Sequence, residues 1–202
     1  MKIQEIHSLF TQKGIEADFR TKEGIQKLLD GKKSKFNKLS IKDQEEFDKE
    51  SLDNPYMDSV ILNISDNKEI NRVLIGIDIG PEEILLAKQL GNIDLVIAHH
   101  PIGKGLAQLA DVMDLQADVY NFYGVPINIA EGLMRERISE VARGVNSSNH
   151  QRTVDTAKIL DVNLMNAHTS ADNMAAKFLR NCIEARHFEK VGEIISALKE
   201  IP

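Results

Sequence analysis

The sequence predicts an α/β fold with a mostly parallel sheet flanked by helices, and three observations predict it. RVLIGIDI, 72–79, apolar and β-branched, and DLVIA, 94–98, read as short strands. Between them lies a segment with the start and stop signals of a helix. Two further apolar runs, VPINIA at 125–130 and VNLMNA at 162–167, alternate with helical patterns.

Ile3, Ile6, Leu9 and Phe10 share one helical face over 2–13, and Gly14 is expected to stop that helix. A second short helix is expected over 22–29. Residues 31–50 pass from basic (GKKSKFNKL) to acidic (IKDQEEFDKE), which reads as a solvated helix or linker, or else a lid or partner arm. Asp53-Asn54-Pro55 marks a turn. The expected division is therefore an N-terminal helical segment with a charged linker, 1–54, followed by an α/β metal-binding domain, 55–202. After the first strand, Pro81 fits the first position of a helix, where its missing N–H costs no hydrogen bond, and Glu82 and Glu83 suit the positive helix end. Gly91-Asn92 ends that helix before the second strand, completing a β-α-β unit of the kind that builds parallel sheets. A helix is expected over about 105–120, a third strand at 125–130, and two helices in EGLMRERISEVAR and NHQRTVDTAKIL. The fourth strand ends on His168. A helix runs from near Ala171 to about 185, and EKVGEIISALKEIP supplies a last one.

The chain has 202 residues, enough to bury a core without disulfides or structural metal. The net charge of −6 argues against a protein that coats nucleic acid. The one cysteine, Cys182, excludes an internal disulfide and a cysteine-rich zinc cluster, and is expected to act as a small apolar helix residue. No segment has the length of a membrane span, and the N-terminus lacks a signal-peptide core, so the reading is a soluble, cytoplasmic protein.

Ligands of parallel α/β sheets bind beyond the carboxyl ends of the strands. Two of the expected strands end there in metal-ligating residue types: one in His99 and His100, the other in His168 with Asp172 four residues on. Successive strand side chains point to opposite faces, so adjacent histidines suit two ions, or two sides of one site. Imidazole with carboxylate suits zinc, iron, manganese, cobalt or nickel, one or two ions per chain, more than calcium or magnesium. Such an ion would polarise a carbonyl or acidify water, and a histidine off the metal could carry protons. Asp78 could orient a ligand or cap a helix. HPIGKGLA with Lys104 could cradle a phosphate, although it lacks the P-loop spacing. Glu131, His7, His150 and His187 read as ordinary surface or core residues.

VLIGIDIGPEEILLAKQLGNIDLVIAHHPI and the later NAHTSADN resemble the two motifs of the GTP cyclohydrolase 1 type 2 homologue family, also called the Ngg-one-interacting factor three-like family. MKIQEIHSLF stands where that family places a helix, and the resemblance covers most of 70–180. It implies a di-metal centre in an α/β fold within a ring-shaped homo-oligomer. His99 and His100 would each bind one of two metals, Asp172 would bind one of them, and His168 would lie near the metal or act on a bound ligand as the catalytic histidine. The family name implies hydrolytic opening of a purine nucleotide ring. A non-catalytic metal-binding regulatory or delivery protein is the alternative. The sequence departs from the family in lacking any His-x-x-x-Glu, which usually completes the centre, and in having Leu52-Asp53-Asn54-Pro55 where a Trp-Asp-Asn turn is usual. The expectation is a truncated product or a short form with fewer ligands.

Overall fold

Leu95–Ala98 runs through the middle of the molecule with all four residues buried, as its unbroken apolar composition requires. Its alternate side chains face two different layers. Val96 and Ala98 pack against Ile84, Ala87, Val154 and Ala157, whereas Leu95 and Ile97 pack against Ile3, with Ile6 and Phe10 beside them. That alternation makes a three-layer helix–sheet–helix sandwich. The structure is a computed structural model and describes residues 1–201.

In chain order the helices and strands are α1 (Ile3–Ala17), α2 (Thr21–Phe36), α3 (Ile41–Glu46), β1 (Ile61–Asn63), β2 (Val73–Gly76), α4 (Pro81–Leu90) and β3 (Leu95–Ala98). Then come α5 (Gly103–Ala107), α6 (Leu109–Val112), α7 (Asp114–Phe122), α8 (Ile127–Asn146), α9 (Arg152–Ile159), β4 (Leu164–Asn166), α10 (Thr169–Glu184) and α11 (Val191–Leu198). A 3₁₀ turn, Lys49–Leu52, precedes β1. The sheet order is β1-β4-β3-β2. The β2–β3 and β3–β4 pairs are parallel.

The β2-α4-β3 unit forms as its sequence signals indicate. Pro81 opens α4, the Glu83 carboxylate accepts the Gly80 N–H at 2.6 Å, and Gly91 closes the helix in the left-handed region at φ 71°. The sheet is mostly parallel as expected, with one antiparallel pairing, β1 with β4. Three expectations are corrected. VPINIA is not a third strand: Pro126 precedes the first turn of α8, where Ala130 and Met134 are buried one turn apart while Ile127 and Ile129 are exposed. Gly14 does not end α1. It is a buried helix residue at which a Cβ would lie 2.8 Å from the Ser170 Cα and 2.9 Å from the Tyr56 ring, so it lets α1 approach α10 closely. The segment expected as one helix over 105–120 is broken into α5, α6 and α7.

The charged segment 31–50 carries the end of α2, then α3 and the start of the 3₁₀ turn. Phe36 and Phe47 pack with ring centroids 5.1 Å apart and the rings tilted by 57°. Cys182 is free and partly buried on α10. No helix among the described residues is long and apolar enough to cross a membrane.

Candidate metal centre

The ends of β3 and β4 lie side by side, and backbone hydrogen bonds fix the residues just beyond each strand. The His99 N–H donates to the Gly76 carbonyl at 2.9 Å and the His100 N–H to the Ile77 carbonyl at 2.8 Å, which ties both histidines to the end of β2. The Ala167 N–H donates to the Ala98 carbonyl at 2.9 Å. The Asn166 side chain, fully buried, clamps the loop beyond the histidines: its Nδ2 donates to the Ile102 carbonyl at 2.9 Å and its Oδ1 accepts the Ile102 N–H at 3.3 Å. A Cβ at Gly105 would overlap this amide, which explains glycine there.

Three imidazoles gather at this edge. Ring centroids are 5.4 Å apart for His99 and His100, 5.2 Å for His99 and His168, and 6.1 Å for His100 and His168. His99 and His100 do not diverge across the sheet as strand alternation would have them. Both lie beyond Ala98, the last residue of β3, where the backbone bends and the period-two rule no longer holds. Asp172 sits in the first turn of α10, its N–H bonded to the His168 carbonyl at 2.9 Å. Its carboxylate reaches both neighbours: Oδ1 is 3.5 Å from His99 Nε2, and Oδ2 is 3.6 Å from His168 Nε2.

Every ring in the group is held the same way. His99 Nδ1 lies 3.1 Å from the Ala167 carbonyl, His100 Nδ1 lies 2.8 Å from Asp78 Oδ1, and His168 Nδ1 lies 2.8 Å from Asp58 Oδ2. A carbonyl oxygen only accepts, and an ionised carboxylate does likewise, so each Nδ1 carries the proton and each neutral ring keeps its Nε2 lone pair free. Metal-binding histidines are oriented in this manner. Asp58 is fully buried and also accepts the Thr169 hydroxyl at 2.6 Å, while the Ser59 hydroxyl accepts the His168 N–H at 3.0 Å. Burial works against the charged His168 ring, but the Asp58 hydrogen bond and the charges of Asp58 and Asp172 prevail and raise its pKa above the ordinary value.

The donor set fits a divalent ion. One ligand atom from each of His99, His168 and Asp172 lies within 4.8 Å of the other two. Ligand atoms bound at about 2.1 Å in tetrahedral arrangement would stand roughly 3.4 Å apart; here Asp172 meets His99 through Oδ1 at 3.5 Å and His168 through Oδ2 at 3.6 Å. His100 is outside this three-residue set, with its side chain half exposed at its edge. Asp78 orients His100 and does not cap α4, which begins after Gly80.

Sequence reasoning missed Asp58, although it holds His168 across 110 positions of chain. The only local signal was a polar Asp58-Ser59 pair inside the apolar stretch Tyr56–Val60, all of which is buried. Asn54, in the Asp53-Asn54-Pro55 turn, fixes this stretch by donating to the Ser59 carbonyl at 3.0 Å and accepting the Tyr56 N–H at 2.9 Å. Lys104 is not available for a phosphate, being paired with Glu50. His7 and His150 bond to the Ser59 and Val145 carbonyls.

No protein-family model matches the chain, and no curated protein matches it. Among solved structures, the chain is similar to a crystal structure of a NIF3 superfamily protein from Sphaerobacter thermophilus, with 30% sequence identity and a TM-score of 0.62. The match covers 72% of this chain and 54% of the other, so this chain spans about half the length of that relative. NIF3 is the GTP cyclohydrolase 1 type 2 homologue family.

Proposed function

We propose that this chain, a NIF3 superfamily protein by sequence and fold, binds a divalent metal ion through His99 Nε2, His168 Nε2 and Asp172, and acts as a hydrolase on a nucleotide-like ring or amide. One observation carries the metal reading: the Nε2 atoms of His99 and His168 both lie beside the Asp172 carboxylate while each ring's Nδ1 is tied to an oxygen. Three protein ligands leave room in the coordination shell, the arrangement of catalytic rather than structural sites. A bound ion of this kind supplies Lewis acidity toward a carbonyl-like group and toward water.

The chain's own residues do the rest. Asp58 and the Ala167 carbonyl hold His168 and His99 in the tautomer that binds metal. Asp172 completes the set from the first turn of α10, where the helix N-terminus favours a carboxylate. His100, kept by Asp78 with Nε2 free beside the cluster, takes up or delivers a proton at that nitrogen, or holds a second ion as the family resemblance implies. In this arrangement His168 serves as a ligand, and the proton-carrying role expected of it from the sequence passes to His100.

The test is turnover of purine nucleotides, monitored by ultraviolet absorbance, with the chain loaded in turn with zinc, manganese, iron, cobalt and nickel. Ring opening that His100→Ala removes while metal content persists supports the hydrolase. Metal binding without turnover of any purine nucleotide favours the non-catalytic regulatory or delivery reading. A ring-shaped homo-oligomer remains part of the proposal, tested by the mass of the metal-loaded protein in solution.

A further inference from the structure

A cavity of about 1070 Å³ lies between α2 on one side and α6 and α7 on the other, and the histidine cluster takes no part in its lining. Its two helical walls carry opposite charge, and Arg20, Glu46 and Asp48 complete the charged lining. Lys27, Lys32 and Lys35 line it from α2, and Asp111, Asp114 and Asp118 line it from α6 and α7. Among the described residues none of these six has a salt-bridge partner; the neighbouring Lys33 and Lys104 are the ones that pair, with Asp53 and with Glu50.

Each wall concentrates one sign of charge. Asp114 and Asp118 are one helical turn apart, and so are Lys32 and Lys35, spacings at which like charges repel. Partial burial holds the Lys32 ammonium below its usual pKa and the Asp118 carboxyl above its own. Gln108 adds an unmet need. Its Nε2 donates to Asp48 at 3.3 Å, but its buried Oε1 has no hydrogen-bond partner, and it too lines the cavity. Phe19, Phe47 and Phe122 give the lining an apolar part. On α2, Gly31 has nothing within 4 Å of where a Cβ would stand, which keeps that wall open.

We propose that this cavity binds a short peptide with free termini, its carboxylate received by the α2 lysines and its ammonium by the α6–α7 aspartates and Gln108 Oε1. A polyanion such as a nucleotide would meet the aspartates, and a polyamine would meet the lysines. A zwitterion satisfies both walls. Small-molecule sites span roughly 300–1,000 Å³, so this volume holds more than one amino acid, and the aromatic lining suits the backbone and side chains between the two termini.

The site backs onto the metal centre. Arg20, in the lining, is held by Asp18, whose Oδ2 also accepts from the Tyr56 hydroxyl at 2.7 Å and from Asn173 Nδ2 at 3.2 Å, next to Asp172. Met57, also in the lining, precedes Asp58. The proposal does not rest on the metal reading, and its test uses metal-free protein.

The test is calorimetric titration of the full chain with pentaalanine, with N-acetyl-pentaalanine and with pentaalanine amide. Free pentaalanine is expected to bind, and loss of either terminal charge to weaken binding about tenfold. Gly31→Leu, which fills the opening from an exposed helix position, is expected to abolish binding while Tm holds or rises, since leucine favours helix over glycine. No binding of pentaalanine at millimolar concentration, equal binding of the capped and free peptides, or undiminished binding by Gly31→Leu would each overturn the proposal.

Discussion

Asp58→Asn isolates the residue that holds the candidate metal centre from behind. The substitution keeps shape and one acceptor oxygen but removes the charge. In the structure a single carboxylate oxygen, Oδ2, accepts both the His168 Nδ1–H at 2.8 Å and the Thr169 hydroxyl at 2.6 Å. The asparagine oxygen can take both bonds, so the fold should survive. What is lost is the charge-assisted character of the His168 bond, and with it part of the basicity of Nε2. Replacing such supporting groups typically lowers metal affinity by about 10–100-fold. Retention of the geometry puts Asp58→Asn near the lower end, about tenfold or ~1.4 kcal/mol. Asp58→Ala leaves two donors without an acceptor in a fully buried place, so it should approach the upper end and also lower stability by about 1–3 kcal/mol for each unsatisfied group. The assay is competition for zinc against a chromophoric chelator, with Tm measured in parallel. Unchanged zinc affinity in both variants would refute the reasoning, because His168 would then need no fixed tautomer.

Three further outcomes are expected. Gly14→Ala should lower stability by about 1–3 kcal/mol in urea unfolding, since its Cβ would press on the Ser170 backbone 2.8 Å away; a neutral result would mean that α1 and α10 separate easily. Leu95→Ala, at a fully buried position of β3, should cost about 2–5 kcal/mol in the same experiment. The Asp18 carboxyl is buried, which works to raise its pKa, but the Arg20 hydrogen bonds and charge prevail and hold it below the ordinary value. Its stabilising contribution is therefore present above the unfolded pKa, about 4, and is lost as pH falls through the lower folded value. Tm should drop on acidification below about pH 4, and Asp18→Asn should flatten that drop; an unchanged profile would remove Asp18 from the account.

The β2-α4-β3 core was legible because its signals are local. Pro81 and Gly91 bracket the helix, and the flanking runs are apolar and β-branched; β3 is buried throughout, whereas β2 is an edge strand with Val73 and Ile75 exposed. The histidines were legible for a related reason, since ligand sites collect at strand ends and the chain shows His99, His100 and His168 there. The rest depended on distant contacts. In VPINIA the β-branched residues suggest a strand, yet the residues that decide are Ala130, Met134 and Ile138, a helical series packed against α7. β1 is three residues long, all half-buried, and pairs irregularly with β4, too short for alternation to show. The meeting of His99, His168 and Asp172 needs the β3–β4 pairing, which no local pattern specifies. Asp58 reaches His168 only once the segment before β1 is buried beneath α10.

Metal content by elemental analysis, on protein purified without a histidine tag, tests the central claim most directly. The geometry of His99, His168 and Asp172 predicts close to one tightly held divalent ion per chain, lost in His168→Ala and Asp172→Ala and kept in His100→Ala. A second equivalent that His100→Ala removes would show the dinuclear form. No metal after reloading, with all three variants indistinguishable from the parent chain, would contradict the claim and leave the histidine cluster without an ion to hold.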